Sequence, residues 1–269
     1  MQWRSLSSAF RPLLRLLLFA LLYFGLRIFV APLRELGTLM AAVAAGVFLL
    51  KTLERRPIAD MGIPLNKRVP RQFGAGLLLG TIGIAVGCLV LLLFGALRYA
   101  DEGGTFGAWL GLTASALWYL LIPAAAEEAL FRGYAFQKLV AAFGPWIAVV
   151  IASAGFAWAH RNNPSINAIA LANIFVAGVV LSLAFLRTRS LWFATGVHLG
   201  WNWSMGALFD LPISGLELFN APLYEPRDRG PAWLSGGAFG PEAGLAGLLA
   251  LGFIAAGIVW VTRKREWLT

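Results

Sequence analysis

Apolar runs dominate the sequence, and they reach the roughly 17 to 25 residues that an α-helix needs to cross about 30 Å of hydrocarbon. In lipid every backbone N–H and C=O must be satisfied within the protein, so such a chain has two solutions, helices or a closed barrel. A barrel is written in segments of about ten residues that alternate apolar and polar positions, whereas the runs here are continuous. An all-α, polytopic transmembrane helix bundle is therefore predicted. The balance of 59% apolar and 13% charged residues excludes a soluble domain.

Eight spans are expected, at about 13–31, 36–53, 73–97, 108–130, 145–160, 166–186, 191–209 and 243–261. A net charge of +9 invites a nucleic-acid reading, but the basic residues form short clusters between apolar runs and not one patch, so no nucleic-acid partner is expected. The clusters are topology information. With the N-terminus inside, Arg4, Arg11, Arg15, Lys51, Arg55, Arg56, Lys67, Arg68, Arg71, Arg132, Lys138, Arg187, Arg189, Arg263, Lys264 and Arg265 fall on the inner side, so both termini are predicted cytoplasmic, in a cytoplasmic (inner) membrane. The first apolar stretch is too long for a secretory signal and lacks a small-x-small cleavage site, which makes it a retained span. No soluble domain is expected before or after the membrane part.

Two connections are longer than turns. Glu54 to Arg71 is basic and holds Pro57, Pro64 and Pro70, a cytoplasmic loop with room for a short helix at the lipid headgroups. Asp210 to Pro241 is rich in Gly and Pro, and loops of that length are commonly functional or disordered. The single cysteine, Cys88, lies in an apolar run and reads as packing. Residues 1–107 are expected to form N-terminal helices with the basic loop, and 108–269 a core that carries the chemistry.

That chemistry is written in few residues. Histidine occurs twice, in Phe156-Ala-Trp-Ala-His160 and in His198-Leu-Gly-Trp-Asn202, and upstream lies Glu127-Glu128-Ala-Leu-Phe-Arg132. Ionisable groups at membrane depth cost several kcal/mol unless paired or hydrated, so by default they mark a functional site. If the fourth and fifth spans form a hairpin at Gly144-Pro145, Glu127 and His160 each lie about 25 Å from the turn and meet at one level. His198 and Asn202 share a helical face, and so do Glu128 and Arg132, which leaves Glu127 turned by about 100° and free to act. A carboxylate beside a histidine, with a second histidine and an amide opposite, is what amide hydrolysis requires: a base for water and donors for the developing oxyanion. The blander readings are a helix-end acid pair on Arg132 and Lys138, an interfacial His160, and interhelical hydrogen bonding by His198 and Asn202. Trp158, Trp201 and Trp203 read as packing or belt aromatics.

These three motifs, in this order on successive helices, resemble the CAAX protease and bacteriocin-processing family of intramembrane endopeptidases, the Abi or type II CAAX prenyl protease group. The resemblance covers about Trp109 to Asn202, and Gly236-Gly-Ala-Phe-Gly-Pro-Glu242 also looks like a family segment. It implies an endopeptidase in which Glu127 activates water with help from His160, His198 and Asn202 stabilise the oxyanion, and Glu128 and Arg132 orient the site. The implied partners are a peptide or protein substrate in or near the membrane and the lipid bilayer itself. No cofactor is favoured; if a divalent metal such as zinc were bound, Glu127, His160 and His198 would be its ligands. The alternatives are a non-catalytic immunity or scaffold protein of the same fold, and a proton-coupled transporter, for which the repeats and broken helices are missing.

Overall fold

The computed structural model describes residues 6–263; Arg4, Lys264 and Arg265, counted above among the inner basic residues, lie outside them. The chain folds into α1 (Leu6–Phe29), α2 (Arg34–Leu49), α3 (Val69–Leu93), α4 (Phe106–Phe131), α5 (Tyr134–Phe143), α6 (Pro145–Ala159), α7 (Ala168–Thr188), α8 (Leu191–Trp203), a four-residue α9 (Ala232–Ser235) and α10 (Leu245–Val261). Helix starts follow local chemistry. Thr105, Asn167 and Ser190 accept the backbone N–H groups of Ala108, Ala170 and Phe193 at the heads of α4, α7 and α8, and Pro145 opens α6 where its missing N–H costs nothing.

The helical bundle matches the expected class. Among the described residues, five stretches are long and apolar enough to cross a membrane: Phe10–Phe29, Ala31–Glu54, Val69–Leu93, Phe106–Phe143 and Ala168–Thr188. Pro145–Ala159 and Leu245–Val261 are shorter apolar helices, and α8 continues through a π-turn, Ser204–Leu208. In place of the eight expected spans, the described residues thus hold five long helices with α6 between the fourth and fifth of them and α8 and α10 after the last.

The closest helix pair sets the position of the site. Gly76 and Gly80 of α3 face Gly196 and Gly200 of α8, and a β-carbon on Gly80 or Gly200 would collide with the carbonyl oxygens of Val197 or Leu77. Two small-x-x-x-small ridges thus let the backbones touch, which substitutes for the absent hydrophobic drive between helices in lipid. His198 lies between the two glycines of α8, so this crossing fixes its depth and rotation. On the other flank, Ala41, Ala42, Ala45 and Gly46 of α2 are buried, and α2 packs against α4.

Three local expectations are corrected. The fourth and fifth spans are not a simple hairpin at Gly144-Pro145: α4 stops at Arg132-Gly133, α5 intervenes, and α4 packs mainly on α2 and α8 while α5 packs on α6. The break is favoured because Tyr134 and Lys138 turn to Glu54, whose carboxylate accepts from the Tyr134 hydroxyl at 2.6 Å and the Lys138 ammonium at 2.7 Å. Within 54–71, the short helix expected at the headgroups is a 3-10 turn, Ile58–Met61, with Met61 fully buried. The 210–241 segment is ordered, and its β2 (Tyr224–Asp228) pairs antiparallel with β1 (Leu97–Asp101), Leu97 opposite Asp228. This ribbon is an addition to the all-α reading.

Candidate active site

Three helices deliver the ionisable groups. Glu127 and Glu128 sit in the last turn of α4, His160 caps α6, and His198 lies mid-way along α8. A cavity of about 540 Å³ is lined by Glu127, His160, His198 and Asn202, with Leu120 and Phe156 among its apolar walls. Glu128 and Arg132 do not line it; both are fully buried behind it.

Neighbouring acids do different things because they are about 100° apart on the helix. Glu128 Oε1 accepts from Arg132 Nη1 at 3.1 Å and lies 2.9 Å from His198 Nδ1. Arg132 Nη2 donates to the Gly178 carbonyl at 3.1 Å, and the guanidinium lies 4.5 Å from the centroid of the Phe156 ring. Glu127 Oε2 makes no hydrogen bond among the described residues; it lies 4.0 Å from His160 Nε2 and 3.8 Å from His198 Nε2.

The partners of Nδ1 fix which way each imidazole faces. His160 Nδ1 is 2.8 Å from the Phe156 carbonyl oxygen, which can only accept, so Nδ1 carries the proton. The Glu128 carboxylate does the same for His198. Both rings therefore turn Nε2 toward the free oxygen of Glu127, as a lone pair where the ring is neutral and as an N–H where it is protonated. Acceptors about 4 Å apart are too distant for a direct bond, and a water about 2.8 Å from two of them would bridge the gap. One turn beyond His198, Asn202 lines the cavity with no side-chain hydrogen bond among the described residues.

Spacing also bears on a metal. Ligand atoms on a tetrahedral zinc at about 2.0–2.1 Å stand roughly 3.4 Å apart, closer than the distances just given. Among the described residues no three His, Cys, Asp or Glu side chains are grouped to hold a metal ion. Glu127, His160 and His198 as placed do not fit that role.

The structure adds residues that motif reading missed. Glu242, in the 3-10 turn before α10, lines the cavity and accepts from the Trp201 indole at 2.9 Å and from the Ser214 N–H and hydroxyl at 2.6 and 2.8 Å. Trp201 is accordingly a buried hydrogen-bonded residue and not a belt aromatic, whereas Trp158 is exposed. An acid in a Gly-rich stretch between apolar runs was the available signal for Glu242. The paired Gly-x-x-x-Gly spacings in α3 and α8 were the signal for the crossing that holds His198.

Fold and site together define a class: an integral membrane protein of helical-bundle type, with two acids, two imidazoles and an arginine gathered among its helices. Residues 108–204 match the family model Rce1-like, described as Type II CAAX prenyl endopeptidase Rce1-like. The matched segment holds all six motif residues from Glu127 to Asn202, and the family is the one those motifs resemble. At family level this supports a membrane endopeptidase of the CAAX protease type. No curated protein and no solved structure matches the chain.

Proposed function

We propose that the protein is a member of that family and an active intramembrane endopeptidase, which cuts membrane-associated peptides or protein C-termini with a water activated by Glu127. The observation that carries this is the convergence of Glu127 Oε2 on the Nε2 atoms of His160 and His198 at the wall of one cavity. A water held there has a base on one side and an imidazole lone pair to orient it on the other. As its oxygen attacks the substrate carbonyl carbon, its proton passes to Glu127, and the C–O bond forms while the carbonyl π pair moves onto oxygen. The Asn202 amide donates to that oxyanion, and so does His198 where its ring enters the step already protonated; that proton stays on Nε2 throughout, and the Glu128 carboxylate steadies the imidazolium through Nδ1. Collapse of the intermediate breaks the C–N bond, and Glu127 returns its proton to the leaving amine nitrogen. No step needs a metal.

The proposed location is the cytoplasmic membrane, with both termini on the cytoplasmic side and no nucleic-acid partner. The test compares the termini of membrane proteins with and without the active chain, followed by cleavage of the substrate so found. Glu127→Gln keeps the shape of the side chain and removes the base, so activity should fall about 10²–10⁴-fold with the folded amount unchanged. Undiminished cleavage by Glu127→Gln and by His160→Ala would rule out the mechanism. Chelation with single-metal add-back should leave the rate where it was.

A further inference from the structure

Glu242 belongs to none of the three motifs, yet its carboxylate ties two parts of the cavity wall together, α8 through Trp201 and the loop at Ser214. Oε1 takes the indole N–H of Trp201, which lies between His198 and Asn202 on α8. Oε2 takes both the backbone N–H and the hydroxyl of Ser214. The Ser214 carbonyl in turn accepts from the Asn163 amide at 3.0 Å, and the Asn163 N–H bonds the carbonyl of His160 at 3.0 Å. The backbone of Glu242 is itself held, since Asn173 of α7 donates to its carbonyl at 2.8 Å.

Two features make this more than a loop tie. Ser214 has φ +49°, a left-handed conformation that a residue other than glycine adopts at a cost, and its two hydrogen bonds to Glu242 hold it there. Three donors converge on two oxygens, which suits a carboxylate. An amide of the same shape would turn its NH₂ toward either Trp201 or Ser214 and oppose donor to donor.

His198 is fixed independently by Glu128 and by the glycine crossing, but among the described residues the only side-chain hydrogen bond of His160 is to its own helix. The span from His160 to Asn202 is therefore set through Asn163, Ser214, Glu242 and Trp201. We propose that Glu242 is a positioning residue that fixes the water-orienting imidazole of His160 relative to the oxyanion-binding amide of Asn202. This rests on the endopeptidase reading, and a misplacement of about 1 Å in such a pair costs on the order of 10²-fold in rate.

The test uses the full chain in detergent. Glu242→Gln should lower kcat at least about 10-fold while KM stays within about threefold, because the substrate contacts remain. Trp201→Phe removes one donor, keeps the ring, and should lower kcat in the same direction by a smaller factor. It decides the matter should Glu242→Gln not fold. A readout independent of substrate comes from the two-histidine composition: with ¹⁵N-labelled histidine, both variants should move the His160 ring signals more than those of His198. A kcat within twofold of wild type in the folded variants, or unmoved His160 signals, overturns the positioning role. If the wild-type chain cleaves nothing, the endopeptidase reading fails, and the ring signals still test the network.

Discussion

Replacing Arg132 with methionine removes the guanidinium from the site and leaves its carboxylates and imidazoles in the sequence. Arg132 is fully buried, and it serves Glu128 and the Gly178 carbonyl with separate nitrogens. Methionine fills much of the volume beside Phe156, so the cavity left is small and the loss is mainly electrostatic. Glu128 keeps its bond to His198 Nδ1, but among the described residues its Oε2 has no hydrogen-bond partner even in the wild type. Breaking a buried pair in this way costs about 3–5 kcal/mol, since the surviving charge stays desolvated. At about 2–4 °C per kcal/mol, the unfolding midpoint should fall by roughly 6–20 °C.

The molecule supplies its own assay. Cys88 is the single cysteine and is buried, so a thiol-reactive dye becomes fluorescent only as the bundle opens. Arg132→Lys keeps the charge but cannot hold both acceptors in the guanidinium's fork, and should cost about 1–3 kcal/mol. Glu128→Met in the Arg132→Met background removes the stranded carboxylate and should recover part of the loss, leaving His198 Nδ1 and the Gly178 carbonyl as orphans. A coupling of more than about 1 kcal/mol between the two positions is expected from the double-mutant cycle. Arg132→Met melting within about 1 kcal/mol of wild type would refute the argument that a desolvated carboxylate depends on this guanidinium.

Two further outcomes follow from geometry. At a pH where both imidazoles are neutral, ¹⁵N shifts should report protonation on Nδ1 in each ring, held by Phe156 O and Glu128; an Nε2–H tautomer in either would mean that the ring faces the cavity differently. Gly200→Ala should destabilise by about 1–3 kcal/mol or more because its β-carbon meets the Leu77 carbonyl, whereas Gly252→Ala, with nothing near its β-carbon, should change the midpoint by under about 0.5 kcal/mol. Equal effects at the two glycines would contradict the α3–α8 contact.

Much of the helical skeleton was legible because lipid leaves the backbone so few options. The i, i+4 pairing of Glu128 with Arg132 was legible for a similar reason: one helix carries both, and the period alone brings them together. What the sequence does not spell out is which side chains meet across helices. The bond from Glu128 to His198 joins residues 70 apart. The α5 break was hidden because Tyr134 and Lys138 read as a polar helix end, when their partner, Glu54, lies about 80 residues earlier. The β1–β2 ribbon pairs segments over 120 residues apart and carries no alternation strong enough to declare itself. Glu242 was visible as an acid in a loop, but its meaning lies in donors from α8 and from Ser214.

The charge distribution shows why both adjacent acids are useful in a membrane. A lone carboxylate that must act as base has to keep an oxygen free, and a free oxygen in an apolar wall is costly. Here the roles are divided. Glu128 is spent on Arg132 and His198, so the arginine's charge is met inside the wall and the second imidazole is turned toward the cavity. Glu127 then faces that cavity with two ring nitrogens about 4 Å away, close enough to share a water and too far to quench the oxygen by direct bonding. Exchanging the two acids' environments is not possible without rotating α4, and α4 is held by α2 on one side and α8 on the other. The reactivity proposed for Glu127 is thus a property of helix rotation, and that rotation is set by the small residues of α2 and by the glycine crossing that seats α8.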